Sequence, residues 1–256
     1  MAGAGPRDSV PSAPVNDTLG IALFIAVAVI AVIGMIMAHR AARERCEALR
    51  ALAGERGLAF EPGRQPPDSP HRLFDEFKRG HSRAVLNTMR GELELFGRPC
   101  ACILGDFEYK VTSGSGKDRR TSTYRFSYTL LRIPWAIPTL ALRRENVLDK
   151  VAGALGFDDI DFESEEFSRR FHVKCKDKKF AYDVIHPRMM EFLLSADVPE
   201  LDFSGPWCCI TRGSGRWAPQ AFRDTLAFAG RYFGQWPDHL VAELETRVAA
   251  AGMTPS

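Results

Sequence analysis

Five groupings of side chains in this sequence have the residue types to do chemistry. The most suggestive is GSGK at residues 114–117, inside the stretch SGSGKDRR from Ser113 to Arg120. A phosphate-cradling loop needs G-x-x-x-x-G-K-[ST] between a strand and a helix, so that backbone amides surround the phosphates. Here Val111 stands where the first glycine is required, and Asp118 follows Lys117. Both flanking segments read as strands, so the stretch is expected to be the turn of a hairpin.

Six cysteines occur: Cys46, Cys100, Cys102, Cys175, Cys208 and Cys209. Residues two apart on a strand share a face, so Cys100 and Cys102 point the same way, whereas the adjacent Cys208 and Cys209 point apart. Zinc sites show a repeated cysteine knuckle or a knuckle with paired histidines, and neither is present. Small apolar filling of a sheet core is the expected role. A composite site of Cys102 with Cys175 or His172 is left open.

The histidines (His39, His71, His81, His172, His186 and His239) are scattered, and none forms HExxH or faces a nucleophile elbow. They read as surface or structural groups, with His186, directly before Pro187, as a helix cap. The densest acidic run is GFDDIDFESEEF, with Asp158, Asp159, Asp161, Glu163, Glu165 and Glu166. It lacks the glycine-turned loop that calcium requires. Ile160 and Phe162 alternate with the acids, as on a strand-like edge with one solvated face. Basic turns are the last grouping: Lys117, Arg119 and Arg120 on one, Arg212 and Arg216 on another. Near a cytoplasmic membrane face such groups meet anionic lipid. The charges are few, so ordinary solvated turns are the preferred reading. No catalytic, cofactor-binding or metal-binding residue is assigned, and no cofactor is expected.

The elements that would carry these groups follow from periodicity. After a polar helix ending at Gly57 comes a short strand from Leu58 to Glu61, then the proline-rich loop PGRQPPDSP. Leu73 to Phe77 is a short helix or an irregular segment. Strands are expected over Arg83 to Met89, Arg98 to Val111 and Thr121 to Pro134. In the last of these Tyr124, Phe126, Tyr128 and Leu130 alternate with polar residues, the mark of a half-buried antiparallel strand. Strand-then-helix pairs follow: Thr139 to Arg143 with Glu145 to Leu155, Phe171 to Cys175 with Lys178 to Ser195, and Trp207 to Thr211 with Pro219 to Phe233. Asp177 should cap the second helix and Pro187 should kink it. A final helix starts at Pro237 and runs to about Ala250. Strands dominate early and helices late, so the fold class is α+β with an antiparallel sheet and packed helices.

One segment stands apart. Leu19 to Ala38 reads LGIALFIAVAVIAVIGMIMA, with no charge and no polar stripe. About 20 such residues cross the hydrocarbon core of a bilayer. The run exceeds the apolar stretch of a cleavable signal, and a soluble core helix would keep a polar face. Arg7 lies before it, whereas Arg40, Arg43, Arg45, Arg50 and Arg56 follow it. Basic flanks stay inside, so the N-terminus is expected outside and the C-terminal domain in the cytoplasm. The expected division is a disordered tail at 1–18, a transmembrane helix at 19–38, a juxtamembrane helix at 39–56, a soluble domain at 57–251 and a C-terminal tail at 252–256. Seventeen Phe are ample for a core in that domain, while a net charge of +2 gives no case for nucleic acid. Reduced cysteines fit a cytoplasmic domain.

Asn87, GDFEY at Gly105 to Tyr109, LRRE at Leu142 to Glu145, DIDFES at Asp159 to Ser164 and FHV at Phe171 to Val173 together resemble a family of bacterial, chiefly actinobacterial, single-pass membrane-anchored proteins with no assigned activity. The resemblance covers most of the soluble domain and implies location and fold-level kinship, with no site to carry over. The leading functional expectation is a non-enzymatic domain at the cytoplasmic membrane face. Its partners would be the bilayer, through Leu19 to Ala38, and either a protein or anionic lipid. The alternatives are an enzyme using Asp159, Asp161, Glu163 and His172, which requires a polar pocket joining them, and a structural subunit of a membrane complex.

Overall fold

The structure is a computed structural model of the chain, and it describes residues 15–145 and 159–250. Two compact units divide it, Met1–Glu47 and Ala48–Ser256. Helix α1 (Val15–Glu55) runs through the boundary without a break. It starts four residues before the apolar run, inside the stretch expected to be a tail, and continues past Ala38 because residues 39–53 are mostly Ala, Arg, Glu and Leu, good helix formers, with no glycine or proline. Its apolar stretch is exposed within the first unit, with Phe24 75% and Met35 72% accessible. This is one helix long and apolar enough to be a single-pass membrane anchor.

In the second unit the last turns of α1 bury Leu49, Leu52 and Ala53 in the domain core. Gly57 ends the helix at φ +67°, and the Leu58 N–H donates to the Ala53 carbonyl at 2.8 Å. That left-handed cap closes the exposed helix carbonyls and turns the chain into the sheet, a conformation only glycine adopts cheaply.

Among the described residues the sheet has six strands: β1 (Ala59–Gln65), β2 (His81–Leu95), β3 (Arg98–Ser113), β4 (Arg120–Arg144), β5 (Phe171–Cys175) and β6 (Glu200–Thr211). All its pairings are antiparallel. The long strand β4 organises it. Leu130 lies between Ile103 of β3 and Cys209 of β6, and Leu140 lies between Cys175 of β5 and Phe203 of β6. So β3 and β5 share one edge of β4, and β6 takes the other. The two strands expected at Thr121 to Pro134 and Thr139 to Arg143 are therefore one. Pro134, which lacks a ladder donor, falls where the register with β6 slips between Arg132 and Ile137. The strand survives it without losing a paired N–H.

Helices α2 (Glu165–Arg170), α3 (Lys178–Val184), α4 (Pro187–Ser195), α5 (Pro219–Phe233) and α6 (Asp238–Ala250) supply the rest of the larger core. The helix expected over Lys178 to Ser195 is two helices. Asp177 accepts the Phe180 N–H at 3.2 Å to start α3, and His186 accepts the Met189 N–H at 3.4 Å to start α4. Pro187 cannot continue α3 but suits the first turn of α4. The other ring nitrogen of His186 donates to the Gln235 carbonyl at 2.9 Å, so its proton sits on Nε2. The helix expected from Glu145 to Leu155 lies, beyond Glu145, outside the described residues, as do the C-terminal tail and most of the N-terminal one. The class is α+β: a long apolar helix, then an antiparallel sheet with packed helices.

Period-two alternation gives the sheet two unlike faces. One carries Met89, Leu104, Leu131, Trp135, Leu142 and Phe203 against the helices. The other carries Val85, Phe107, Tyr128, Leu130 and Cys209. Across that second face lies a strap, residues 66–80, which joins β1 to β2 through two short 3-10 turns, Ser69–Leu73 and Asp75–Lys78.

Candidate functional site

The strap carries two buried polar groups onto the second face. Glu76 reaches Arg143, the guanidinium at the end of β4, with a separation of 2.8 Å. The same guanidinium binds Asp202 at 2.6 Å and also Glu200, both from β6. Thr211 Oγ1 and the Gly213 N–H each donate to Glu200 at 3.3 Å. All four charged side chains are nearly buried. Burial raises the Asp202 carboxyl, as do Glu76 and Glu200, while Arg143 opposes; the result is about 8. Three carboxylates thus share one cation, and burial among its acidic neighbours holds the Asp202 carboxyl well above the usual carboxylate range. Burial alone would lower the Arg143 guanidinium, but Asp202, Glu76 and Glu200 hold it above its usual range.

His71 is the second group. Its ring lies fully buried, with ring centroids 4.8 Å from Phe77, 4.9 Å from Tyr128 and 6.5 Å from Phe107. Nδ1 accepts the Asp68 N–H at 3.1 Å, which places the proton of the neutral ring on Nε2. Burial lowers this imidazole to about 4, with Asp68 opposing and Arg90 adding slightly. Within reach of aromatic neighbours and a backbone donor, the ring has no place for a second proton. So the strap is pinned at one end by a neutral histidine and at the other by an ion cluster with a raised carboxyl. Chemically this is a latch with titratable parts on either side of neutrality.

The residues singled out from sequence are placed as follows. Gly116–Asp118 forms one short turn between paired strands, with Ser113 opposite Arg120, so GSGK is the tip of a hairpin and no helix follows it. Cys100, Cys102, Cys175 and Cys208 are buried in the larger core, and Cys209 lies under the strap. All six cysteines are free thiols. Burial pushes the Cys102 thiol up to about 12. His172 alternates with Phe171 and Val173 on β5, so it points away from the core face that holds Cys102 and Cys175, and Cys102 and His172 do not form a composite site. His172 pairs instead with Asp159 near the surface, while Asp161 and Glu163 remain exposed on the same edge. Ile160 and Phe162 are buried between them. Among the described residues no cluster of His, Cys, Asp or Glu could hold a metal ion.

Sequence reasoning did not find the latch. Glu200 and Asp202 alternate with Leu201 and Phe203, and that pattern reads as a solvated face. Arg143 lies next to Leu142 in the same way. Only the strap turns this face into an interior. The usable signal was in the strap itself, where His71, Phe74 and Phe77 recur in a loop otherwise marked by Pro and charge.

No protein-family profile matches this sequence, and none of the curated proteins searched matches it. Among solved structures, the crystal structure of the mycobacterial trehalose monomycolate transport factor A, TtfA, is similar over 75% of this chain and 93% of that chain, at 13% identity and a TM-score of 0.48. At that distance it carries no residue role across.

Proposed function

We propose that the chain is a single-pass membrane protein whose α+β domain acts at the cytoplasmic face as a binding or interaction domain rather than as an enzyme. The observation that carries this reading is α1. Its most apolar stretch has a mean hydropathy of 3.0 and no part of it is buried. In water that surface would be untenable, whereas in lipid the helix pairs its own backbone and needs no partner. Five arginines after the span against one before it support the inward direction of the domain. The candidate site favours holding over chemistry: its ionisable groups are buried as a structural latch under the strap.

Reporters fused to the C-terminus test the direction. A cytoplasmic reporter should be active there, and activity of only an exported reporter would reverse the topology. The span is tested by Val29→Arg, since an arginine at the centre of a span costs about 2.5–3.5 kcal/mol. That variant should become extractable by alkaline carbonate, and an unchanged resistance would count against the anchor. Affinity capture from membranes that recovers neither a specific protein nor anionic lipid would count against the binding role.

A further inference from the structure

The hairpin that joins β3 to β4 stands out beyond the rest of the sheet. On one side β2 begins at His81, opposite Lys110, and on the other β6 ends at Thr211, opposite Tyr128. Past Lys110 and its partner Thr123 neither strand is paired with a third strand, and the hairpin is a two-stranded ribbon closed by the turn between Ser113 and Arg120. The tertiary structure brings more charge to this end than the turn alone suggests. Arg83 donates to the carbonyls of Arg79 and Gly80, which sets the exit of the strap beside the ribbon. Six cations therefore gather here: Arg79, Arg83, Lys110, Lys117, Arg119 and Arg120. None of them has an ion pair among the described residues, and the carboxylate left to oppose them is Asp118. The other acids at this end are already taken, Asp75 by Lys78 and Glu108 by Arg64 and Arg125. Because the whole chain carries only +2, this end is a local excess and not a general basicity.

Apolar surface accompanies the charge. Among the described residues, four large apolar side chains outside α1 are exposed, and two of them, Val111 and Tyr124, are on this ribbon. Tyr124 is 47% accessible and stacks on Tyr109 with ring centroids 5.3 Å apart. The two tyrosines continue the row of Phe107 and Phe126 from beneath the strap out to the tip. Rings with a polar end beside cations suit the headgroup level of a membrane, where the hydroxyl stays wet and the ring does not. The second Gly/Ser turn differs: Arg212 is tied to Asp197 and Thr225, which leaves Arg216 as its exposed cation.

We propose that the β3–β4 hairpin end, with Arg79 and Arg83, docks the domain onto an anionic lipid surface. The proposal rests on the membrane-anchor reading above, and that reading is what favours lipid over another polyanion. A chain whose own helix sits in a bilayer meets headgroups at high effective concentration, so a patch of modest strength is sufficient. Each cation close to such a surface strengthens the contact about fivefold.

The test is amide hydrogen exchange on the full chain in lipid nanodiscs, of phosphatidylcholine alone or with phosphatidylglycerol. Residues 110–123 should exchange about tenfold or more slowly in the anionic discs. The protection should disappear in high salt and in the triple variant Lys117→Gln, Arg119→Gln, Arg120→Gln, whose global melt should match the parent. If that variant does not fold, Arg83→Gln with Lys110→Gln removes two charges from strand positions and should abolish most of the protection, since two losses of about fivefold in contact strength outweigh a protection of about tenfold. Equal exchange in both discs, with the chain still integrated, overturns the docking and leaves the anchor standing. Protection that ignores salt and the variants overturns its electrostatic basis. If soluble polyglutamate protects the ribbon in neutral discs and anionic lipid does not, the partner is an acidic protein and the lipid proposal fails. A chain that alkaline carbonate extracts from the membrane would overturn the anchor reading instead.

Discussion

Replacing His71 with phenylalanine should reverse the order of stability between wild type and variant as the pH falls. In the folded domain the imidazole titrates at about 4, against 6.5 when free, chiefly because it is buried. Between those two values the unfolded chain binds a proton that the folded chain does not, so unfolding is favoured as pH falls. His71 thus costs no stability above about pH 6.5, and its penalty grows steadily down to about pH 4. At about 1.4 kcal/mol per pH unit, the interval corresponds to a loss of about 3 kcal/mol. Phenylalanine does not titrate, and its ring suits the site made by Phe77, Phe107 and Tyr128. What it lacks is the acceptor for the Asp68 N–H, worth about 1 kcal/mol at any pH. His71→Phe should therefore be the less stable protein at pH 7, by about 1 kcal/mol, and the more stable at pH 4, by about 2 kcal/mol. For a domain of this size the swing corresponds to about 10 °C in the difference between the two melting temperatures. Near-UV circular dichroism melts of the full chain in detergent, run on both proteins across that range, would measure it. Other acids titrate there too, but they are common to both proteins and cancel in the difference. Parallel curves from pH 7 to pH 4 would refute the reasoning, because they would mean that His71 takes up its proton without leaving the strap.

Arg143→Met should destabilise the domain by about 3–5 kcal/mol at neutral pH, because it leaves Glu76, Glu200 and Asp202 buried without their cation. The loss should shrink on acidification as the carboxylates protonate, and a melt at two pH values would show it. Asp202→Asn should behave in the opposite sense. A carboxyl raised to about 8 contributes fully below its unfolded value and loses that contribution as pH climbs toward 8. The asparagine variant should thus gain on the wild type over that climb, as read by denaturant midpoints. Gly80→Ala should cost roughly 2 kcal/mol or more, since Gly80 sits at φ +58° and a Cβ there would stand 2.2 Å from the Lys110 carbonyl oxygen. Exchange in residues 68–83 should rise in that variant more than exchange in α5, because the exit of the strap is what it disturbs.

Much of the fold was legible as period and punctuation. The alternation from Tyr124 to Leu130, the C-terminal glycine at Gly57, Asp177 before α3 and Pro219 at the start of α5 all state local geometry in local terms. So did the faces of the cysteines, because side-chain direction on a strand depends only on parity. His186 as a cap was legible for the same reason, since the proline beside it had already interrupted the helix. Where the reading stopped short, the missing information was long-range. That β4 runs unbroken through Pro134 depends on where β6 slips in register. Likewise, the solvated look of Glu200 and Asp202 could be corrected only by a segment more than a hundred residues earlier in the chain.

By itself, then, the sequence determined the apolar helix, the antiparallel α+β class and several element ends such as Gly57, Asp177 and Pro219, because each follows from interactions among near neighbours or from bulk hydrophobicity. Only the tertiary structure decided which sheet face is wet. The strap, lying over β2 to β4, made an interior of one part of that face and so turned Arg143 and three acids into a buried latch. At the far end the same fold gathered six cations on and beside a projecting ribbon. Both outcomes are matters of burial, and burial is a property of the packed chain, where desolvation multiplies the consequence of every charge.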